Sequence, residues 1–420
     1  MMKSVKEFKP KFDVFKNLDK KKYSIQFLPT CLLKESKVEN IFYNGQKIKS
    51  SYLIDIVHNL ILKYYFTKEN SFNLSSVVLK EKYGHLYNYY INYLNQNNIL
   101  KLTKKHLKGK NARIYKLDDN VFKNQITRFK NSDRTLLKKY KNAVSAVIKE
   151  DFSNNKIDAE IKKKLVSDLF YVEIDYSRSI FFLDSTIQDG DIYQRNKYSV
   201  ECINDKHIFY HFDNYGRMHT NFTILKSFLR KNCLLIDGEE TYEIDIKNSQ
   251  PLFLCKLIEQ FGLDLIDSNE FELFKFLTRS GKFYEHFMNQ TSVKEKKIIK
   301  ECIYKVFFGK NYPNKYDKMF EKSFPTIYIF IKHFKKLNGG YKTLSYNLQN
   351  LESEFIYNKV IKEITNLNPN IHLLTVHDSI ICPLSQKNFV KEIFDKYLDL
   401  EFGVNTIEVQ NSDINIYSYV

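Results

Sequence analysis

An α+β fold, with antiparallel strands and helices largely segregated along the chain, is predicted from three observations. Tyr242-Glu243-Ile244-Asp245 alternates apolar and acidic residues as a strand does and ends on an aspartate, and far downstream Leu373-Leu374-Thr375-Val376 delivers His377-Asp378-Ser379 in the same way. Between these strands lies a long stretch with helical spacing of apolar residues. Ahead of them, within 51–118, three helical patterns precede two short basic strands.

The first element with an assignable pattern is Tyr23-Ser24-Ile25-Gln26-Phe27, which reads as a strand; the remainder of 1–50 is basic and mixed, with no chemistry to assign. From Ser51, the run Tyr52 to Leu62 has helical spacing. A short helix follows around Ser75 to Tyr83, stopped by Gly84, and then a longer one from Leu86 to Asn97. Ile99 to Leu102 and Ala112 to Leu117 read as strands joined by the turn Lys108-Gly109-Lys110-Asn111. Three helices and a basic hairpin resemble a winged helix, whose third helix enters the major groove while the wing touches the backbone. On that reading Tyr87, Asn88, Asn92 and Asn95 supply the polar groups of the third helix. Lys104, Lys105, Lys108, Lys110 and Arg113 line the wing. A small structural or protein-binding version of the same fold is the alternative.

Residues 119–204 read as a helical, basic region. Arg128, Lys130, Arg134, Lys138, Lys139 and Lys141 interleave with Ile126, Leu136, Leu137, Val144 and Val147 as far as about residue 170. His207 to Phe212 then reads as a strand entering the turn Asp213-Asn214-Tyr215-Gly216-Arg217, whose guanidinium can fork onto a phosphate. Leu252 to Phe261 is an apolar helix. Lys296, Lys300, Tyr304 and Phe308-Gly309 recur every four residues, which places two cations and two rings on one helical face. The cations suit a triphosphate and the rings a base pair. Two strand-end aspartates are the simplest support for two Mg²⁺ ions about 3.5–4 Å apart, because hard cations need oxygen ligands on rigid elements.

These four stretches, in this order, resemble the core shared by family A DNA polymerases and phage-type single-subunit RNA polymerases, over roughly residues 205–420. Asp213 to Arg217 matches the D-x-x-G-R element, Asp245 motif A, Lys296 to Gly309 motif B, and His377-Asp378-Ser379 motif C. The resemblance implies a right-hand polymerase palm and fingers at 205–420, with 119–204 as a thumb-like region and 51–118 as the winged helix. It also implies Mg²⁺, or Mn²⁺ in its place, on Asp245, Asp378 and the Ile246 carbonyl. Lys300, Lys296 and Arg217 would meet the triphosphate, and Tyr304, Phe308 and Gly309 the nucleotide. His377 would meet the primer end, with a structural histidine as the equal alternative, and Gln349 the template and primer. Gln250 stands where the DNA polymerases of the family carry a sugar-excluding glutamate, and Phe308 where the RNA polymerases carry a tyrosine. Weak sugar discrimination follows from both departures.

The formal charge of +17 implies a polyanionic partner, and residues 101–150 alone carry fifteen Lys and Arg against four Asp and Glu. Hydrophobic residues at 43%, with thirty-four Phe and thirty Tyr, exclude a disordered chain. Six cysteines without a C-x-x-C pair argue against a zinc ribbon or a disulfide framework and suit small buried residues. With no apolar run long enough for a bilayer and no signal-type apolar segment near the start, a soluble cytoplasmic protein is expected. The expected activity is a DNA-dependent, template-directed nucleotidyltransferase acting on nucleoside triphosphates with a DNA template and primer, in replication or priming of a phage or mobile element. Its rivals are a DNA-dependent RNA polymerase, a non-templated or protein-primed nucleotidyltransferase in phage defence, and an initiator with an inactive palm that binds DNA.

Overall fold

In the computed structural model, residues 22–67, 69–104, 113–123, 126–139, 141–142, 157–293, 295–311, 317–337 and 340–403 are described. They form two compact units, one made of 22–142 with 176–207 and the other of 157–175 with 208–403. The class is α+β, with antiparallel sheets in both units.

In the first unit, β1 (Ser24–Pro29) precedes the hairpin β2 (Asn40–Tyr43) and β3 (Gln46–Lys49). Asn44 and Gly45 at its tip both have positive φ, as a tight two-residue hairpin turn requires. Helix α1 (Ser50–Thr67) buries Leu53, Ile54, Val57, Leu60 and Ile61. It is followed by β4 (Phe72–Asn73), α2 (Ser76–Tyr83), α3 (Tyr87–Gln96), β5 (Leu100–Lys104) and β6 (Ile114–Leu117), the strands pairing antiparallel in the order β4-β6-β5. Gly84 ends α2 with φ +80, which explains the glycine there. The turn 105–112, with Lys105, Lys108 and Lys110, lies outside the described residues.

After the short α4 (Asp119–Lys123), the chain departs from the helical reading of 119–170: β7 (Ile126–Asn131) is a strand, paired antiparallel with β1. Its basic residues Arg128 and Lys130 alternate with Thr127 and Phe129, a period of two that the high charge disguised as a solvated helix face. Arg128 is paired with Glu201 (2.9 Å) and Asp205 (3.5 Å) of the same unit. Helix α5 (Ala159–Asp168) and β8 (Val172–Ile174) belong to the second unit, whereas α6 (Tyr176–Thr186) and α7 (Gly190–Asn204) return to the first. The segment 119–204 is thus shared between the units.

A buried polar network ties the first unit together. Asp55 Oδ1 accepts from Gln26 Nε2 (2.6 Å), and Oδ2 accepts from the Tyr83 hydroxyl (2.6 Å) and Lys82 Nζ (2.7 Å). Asn131 Nδ2 donates to Gln26 Oε1 (2.9 Å) and the Ser51 carbonyl (3.0 Å). Burial pushes His58 down to about 4, and its Nδ1 accepts from the Phe27 amide (3.0 Å), as only the neutral ring can. One carboxylate therefore joins β1, α1 and α2.

The second unit continues with β9 (Tyr210–Phe212), β10 (Met218–Thr220), α8 (Asn221–Ile224), α9 (Ser227–Cys233), β11 (Leu234–Ile236) and β12 (Glu239–Asp245). Then come α10 (Ser249–Phe261), α11 (Ser268–Arg279), α12 (Phe283–Gln290), α13 (Lys296–Phe308), α14 (Asp317–Ser323) and α15 (Pro325–Leu337). Helix α16 (Lys342–Ser353) passes through a π-helical stretch, Glu354–Ile361, into α17 (Lys362–Leu367), and β13 (Leu374–Val376), β14 (Ser379–Pro383) and α18 (Lys387–Phe402) close the unit. Five strands form an antiparallel sheet in the order β13-β14-β12-β11-β8. The β11–β12 turn, Asp237-Gly238, has positive φ at both residues. Lys164 and Asp168, both buried, pair at 2.6 Å, while Lys164 Nζ also donates to the Ile371 carbonyl (2.5 Å) and Asp168 Oδ2 accepts from the Leu373 amide (3.0 Å). That pair fixes the chain just before β13. Among the described residues no helix is long and apolar enough to cross a membrane. Of the cysteines, all but the exposed Cys31 are buried, and none of the six is in a disulfide.

Replacing Asp55 by alanine strands buried Gln26 and Tyr83 donors and is expected to cost about 3 kcal/mol or more. Urea denaturation of the purified chain checks this; a loss below about 1 kcal/mol would contradict the network's role.

Candidate active site

The sheet brings the two aspartates together. Asp245 is the last residue of β12 and lies opposite Ser379, the first residue of β14, so Asp378 in the β13–β14 turn is one residue from direct register. Each carboxyl sits in low dielectric beside a like charge. Asp245 is pushed up to about 8, first by burial and then by Asp378 and Glu243, with Lys300 opposing. Asp378 is also raised by burial, against a hydrogen bond from Ser249 and the charges of Arg217 and Lys300. His377 adopts φ +56 in the turn that presents Asp378. Burial and the nearby Arg217 hold its ring down to about 4, and its buried Nδ1 has no hydrogen-bond partner among the described residues.

The expected stripe on α13 is present as geometry. Lys300 Nζ lies 5.4 Å over the Tyr304 ring, and Tyr304 meets the Phe308 ring edge-on at 5.3 Å. Tyr304 also shares a hydrogen bond with Tyr284 of α12, whose hydroxyl is pushed up by burial. Lys296, in the first turn, is exposed and 3.8 Å from the equally exposed Glu285. Gly309 owes its identity to packing: a Cβ there would lie 2.3 Å from the Lys305 carbonyl oxygen. Just inside that helix end, the buried Lys335 of α15 donates to the carbonyls of Val306 (2.6 Å) and Gly309 (3.0 Å), and burial lowers its ammonium to about 8. A cation on the last carbonyls suits the negative end of the helix dipole.

Arg217 is placed differently from the sequence expectation. Its Nε (2.8 Å) and Nη2 (2.6 Å) both donate to Oε1 of Glu352, at the end of α16, so the guanidinium is engaged by a carboxylate. The turn behind it is built by Asp213, whose Oδ1 accepts from the amides of Tyr215 (2.9 Å) and Arg217 (3.0 Å) and whose Oδ2 meets His219 Nε2 at 2.9 Å. Tyr215 stacks on Tyr346 of α16 at 4.0 Å. Gly216, at φ +85, admits the close approach of α16, since a Cβ would meet Ser353 Cβ at 3.1 Å.

Glu352 is the residue that sequence reasoning missed. Only 1% exposed, it also receives Gln250 Nε2 (2.6 Å) and the Ser249 hydroxyl (3.3 Å) on Oε2. Burial, then the charge of Asp378, pushes it up to about 7. Gln250 is therefore turned toward a carboxylate on another helix, and its Oε1 is buried without a partner among the described residues. Gln349 donates to Ser345 on its own helix at 3.4 Å. In the first unit, Asn88, Asn92 and Arg113 are exposed and Tyr87 is half-buried, while Lys108 and Lys110 lie outside the described residues.

The donor set fits hard divalent cations. Two adjacent half-buried carboxyls are both raised by burial, with Lys300 offsetting this only in part, and a cation would favour their charged forms. Among the described residues, no cluster of three or more His, Cys, Asp and Glu is arranged to hold a metal. No protein-family model matches the chain, and no curated protein matches it significantly.

Without added metal, the folded state holds protons on Asp245 and Glu352 that the unfolded chain has already released above about pH 4–5. Stability therefore falls as pH rises from there toward about 8, the raised value of Asp245. Asp378→Asn removes one of the like charges, so its melting temperature at pH 8 is expected to exceed that of the unsubstituted chain by roughly 2 °C or more, with the difference closing by pH 4. Differential scanning calorimetry across this range in a chelator tests it; parallel curves would sink the idea.

Proposed function

We propose that the chain is a template-directed nucleotidyltransferase, a DNA-dependent polymerase whose 208–403 unit serves as palm and fingers and whose α1–β6 region docks on DNA as a winged helix. The observation that carries the reading is the pairing of Asp245 and Asp378 at adjacent strand ends beside Lys300. The helix-strand-helix-helix-strand-strand order of residues 50–117, with sheet order β4-β6-β5, supports the docking module.

In this reading Asp245, Asp378 and the Ile246 carbonyl hold the metal ions. When bound, Mg²⁺ supplies an activated primer 3′-hydroxyl and neutralises charge on the departing pyrophosphate. The remaining work belongs to the chain. Lys300 meets the triphosphate and is the proton donor to pyrophosphate. Lys296, exposed at the start of α13, is a second cation for the phosphates. Tyr304 and Phe308 pack against the sugar and base, held at their spacing by Tyr284 and by the Lys335 cap. Arg217 acts through Glu352, keeping Ser249 against Asp378 and Gln250 beside it. Positioning of this kind supplies much of the rate in phosphoryl transfer. With an amide at 250 and no hydroxyl at 308, both dNTPs and rNTPs are accepted.

The test is extension of a labelled primer on a DNA template with Mg²⁺, offering dNTPs and rNTPs in separate reactions. Complementary incorporation from both pools is expected, falling at least about 10³-fold in Asp378→Ala. Strict rejection of either pool refutes the weak sugar discrimination. Extension that ignores the template supports the non-templated rival, and no extension with DNA binding retained supports the initiator.

A further inference from the structure

Helix α3 of the first unit carries a row of side chains that the nucleotidyl-transfer chemistry does not use. Its buried face is Tyr90, Ile91 and Leu94. The opposite face exposes Asn88, Asn92, Asn95 and Gln96, and none of these four side chains is hydrogen-bonded to another described residue. Their spacing of four, three and one keeps them on one side of the helix. From Asn88 to Gln96 the row runs about 12 Å, which at about 3.4 Å per base step covers three to four steps.

The chemistry of the row is uniform. Each side chain is a carboxamide, offering one acceptor and two donors at a fixed separation. In the major groove adenine presents an acceptor, N7, beside a donor, the N6 amino group, and a carboxamide matches that pair with two hydrogen bonds. Guanine presents two acceptors, N7 and O6, which call for Arg or Lys, and cytosine presents a donor, which calls for Asp or Glu. Helix α3 contains no Arg, Lys, Asp or Glu at all. Charge is placed around the row instead, on Lys80 of α2, Lys104 at the end of β5, and Arg113 before β6, all exposed. Cations at that remove meet phosphates and fix register without reading sequence.

We propose that α3 reads adenines in A·T-rich duplex DNA from the major groove, with Asn88, Asn92 and Asn95 each bridging N6 and N7 of an adenine. The inference rests on the reading of this region as a DNA-docking module and adds the base it selects.

The test is fluorescence anisotropy of the full chain at fixed salt with three duplexes of equal length: A·T-rich, G·C-rich, and the A·T-rich sequence with every A·T pair replaced by inosine·cytosine. Inosine·cytosine resembles A·T in the minor groove and G·C in the major groove. The A·T-rich duplex is expected to bind at least about tenfold tighter than either of the others. Asn88→Ala/Asn92→Ala/Asn95→Ala, with an unchanged melting temperature to show that it folds, should bind all three duplexes alike and weakly. Lys104→Ala/Arg113→Ala should weaken all three by the same factor and keep the preference. Equal binding of the A·T-rich and inosine·cytosine duplexes would overturn major-groove adenine readout, as would a preference that survives in the triple variant. Failure to bind any duplex would overturn the docking module itself, and the inference with it.

Discussion

Everything in the second unit turns on holding two like charges where neither is comfortable. Antiparallel pairing of β12 with β14 is what forces the contact: once Asp245 is in register with Ser379, Asp378 has nowhere else to go. Backbone ladder bonds, each worth about 1 kcal/mol net, oppose a repulsion that low dielectric makes larger than it would be in water. The surrounding elements reduce that repulsion without abolishing it. Lys300 faces the pair, Ser249 donates to Asp378, and Arg230 lies 3.7 Å from Glu243 behind them.

Glu352 extends the same logic outward. A carboxylate this buried is tolerated only when its lone pairs are filled, and Arg217 donates twice and Gln250 once, with the Ser249 hydroxyl 3.3 Å from Oε2. The consequence is mechanical. The turn carrying Arg217 is pressed on α16 by the Tyr215–Tyr346 stack and the Gly216–Ser353 approach, and its guanidinium passes that position to the start of α10. The chain then leaves α16 through π-helical Glu354–Ile361, whose Tyr357 hydroxyl accepts from the Met218 amide (3.2 Å) and lies 3.4 Å from Thr375 Oγ1 of β13. One helix thus registers both the turn of Arg217 and the strand leading to Asp378.

Much of this was legible in the sequence where the signal is local. Period-two alternation ending in an acid marked β12, a spacing of four marked the Lys300–Tyr304–Phe308 face, and Gly84 marked its own break. Glu352 was not legible, because an acid in a polar helical run looks solvated until partners more than a hundred residues away are seen beside it. Strand β7 was lost for a related reason: its lysine and arginine suggested a charged helix, and the pairing that makes it a strand comes from β1, about a hundred residues earlier. Arg217 was expected at a phosphate, and its contact with Glu352 was not legible, since a guanidinium's partner cannot be read from its own neighbours.

The contrast between the two ends of α13 shows how the fold divides labour. At its C-terminus the helix is held hard: Gly309 can carry no side chain, and a buried ammonium from α15 binds its last carbonyls. At its N-terminus Lys296 stands exposed, 3.8 Å from an exposed glutamate in a pair that water and salt largely screen. A cation at a helix N-terminus is opposed by the dipole and therefore gains most from an anion that arrives from outside. Lys300, one turn further in, is steadied by the Tyr304 ring and partly offsets the charge of the aspartates, so the two lysines are not equivalent. The inner one lies beside the aspartate pair and the Tyr304 ring, and the outer one is held only by a screened surface pair.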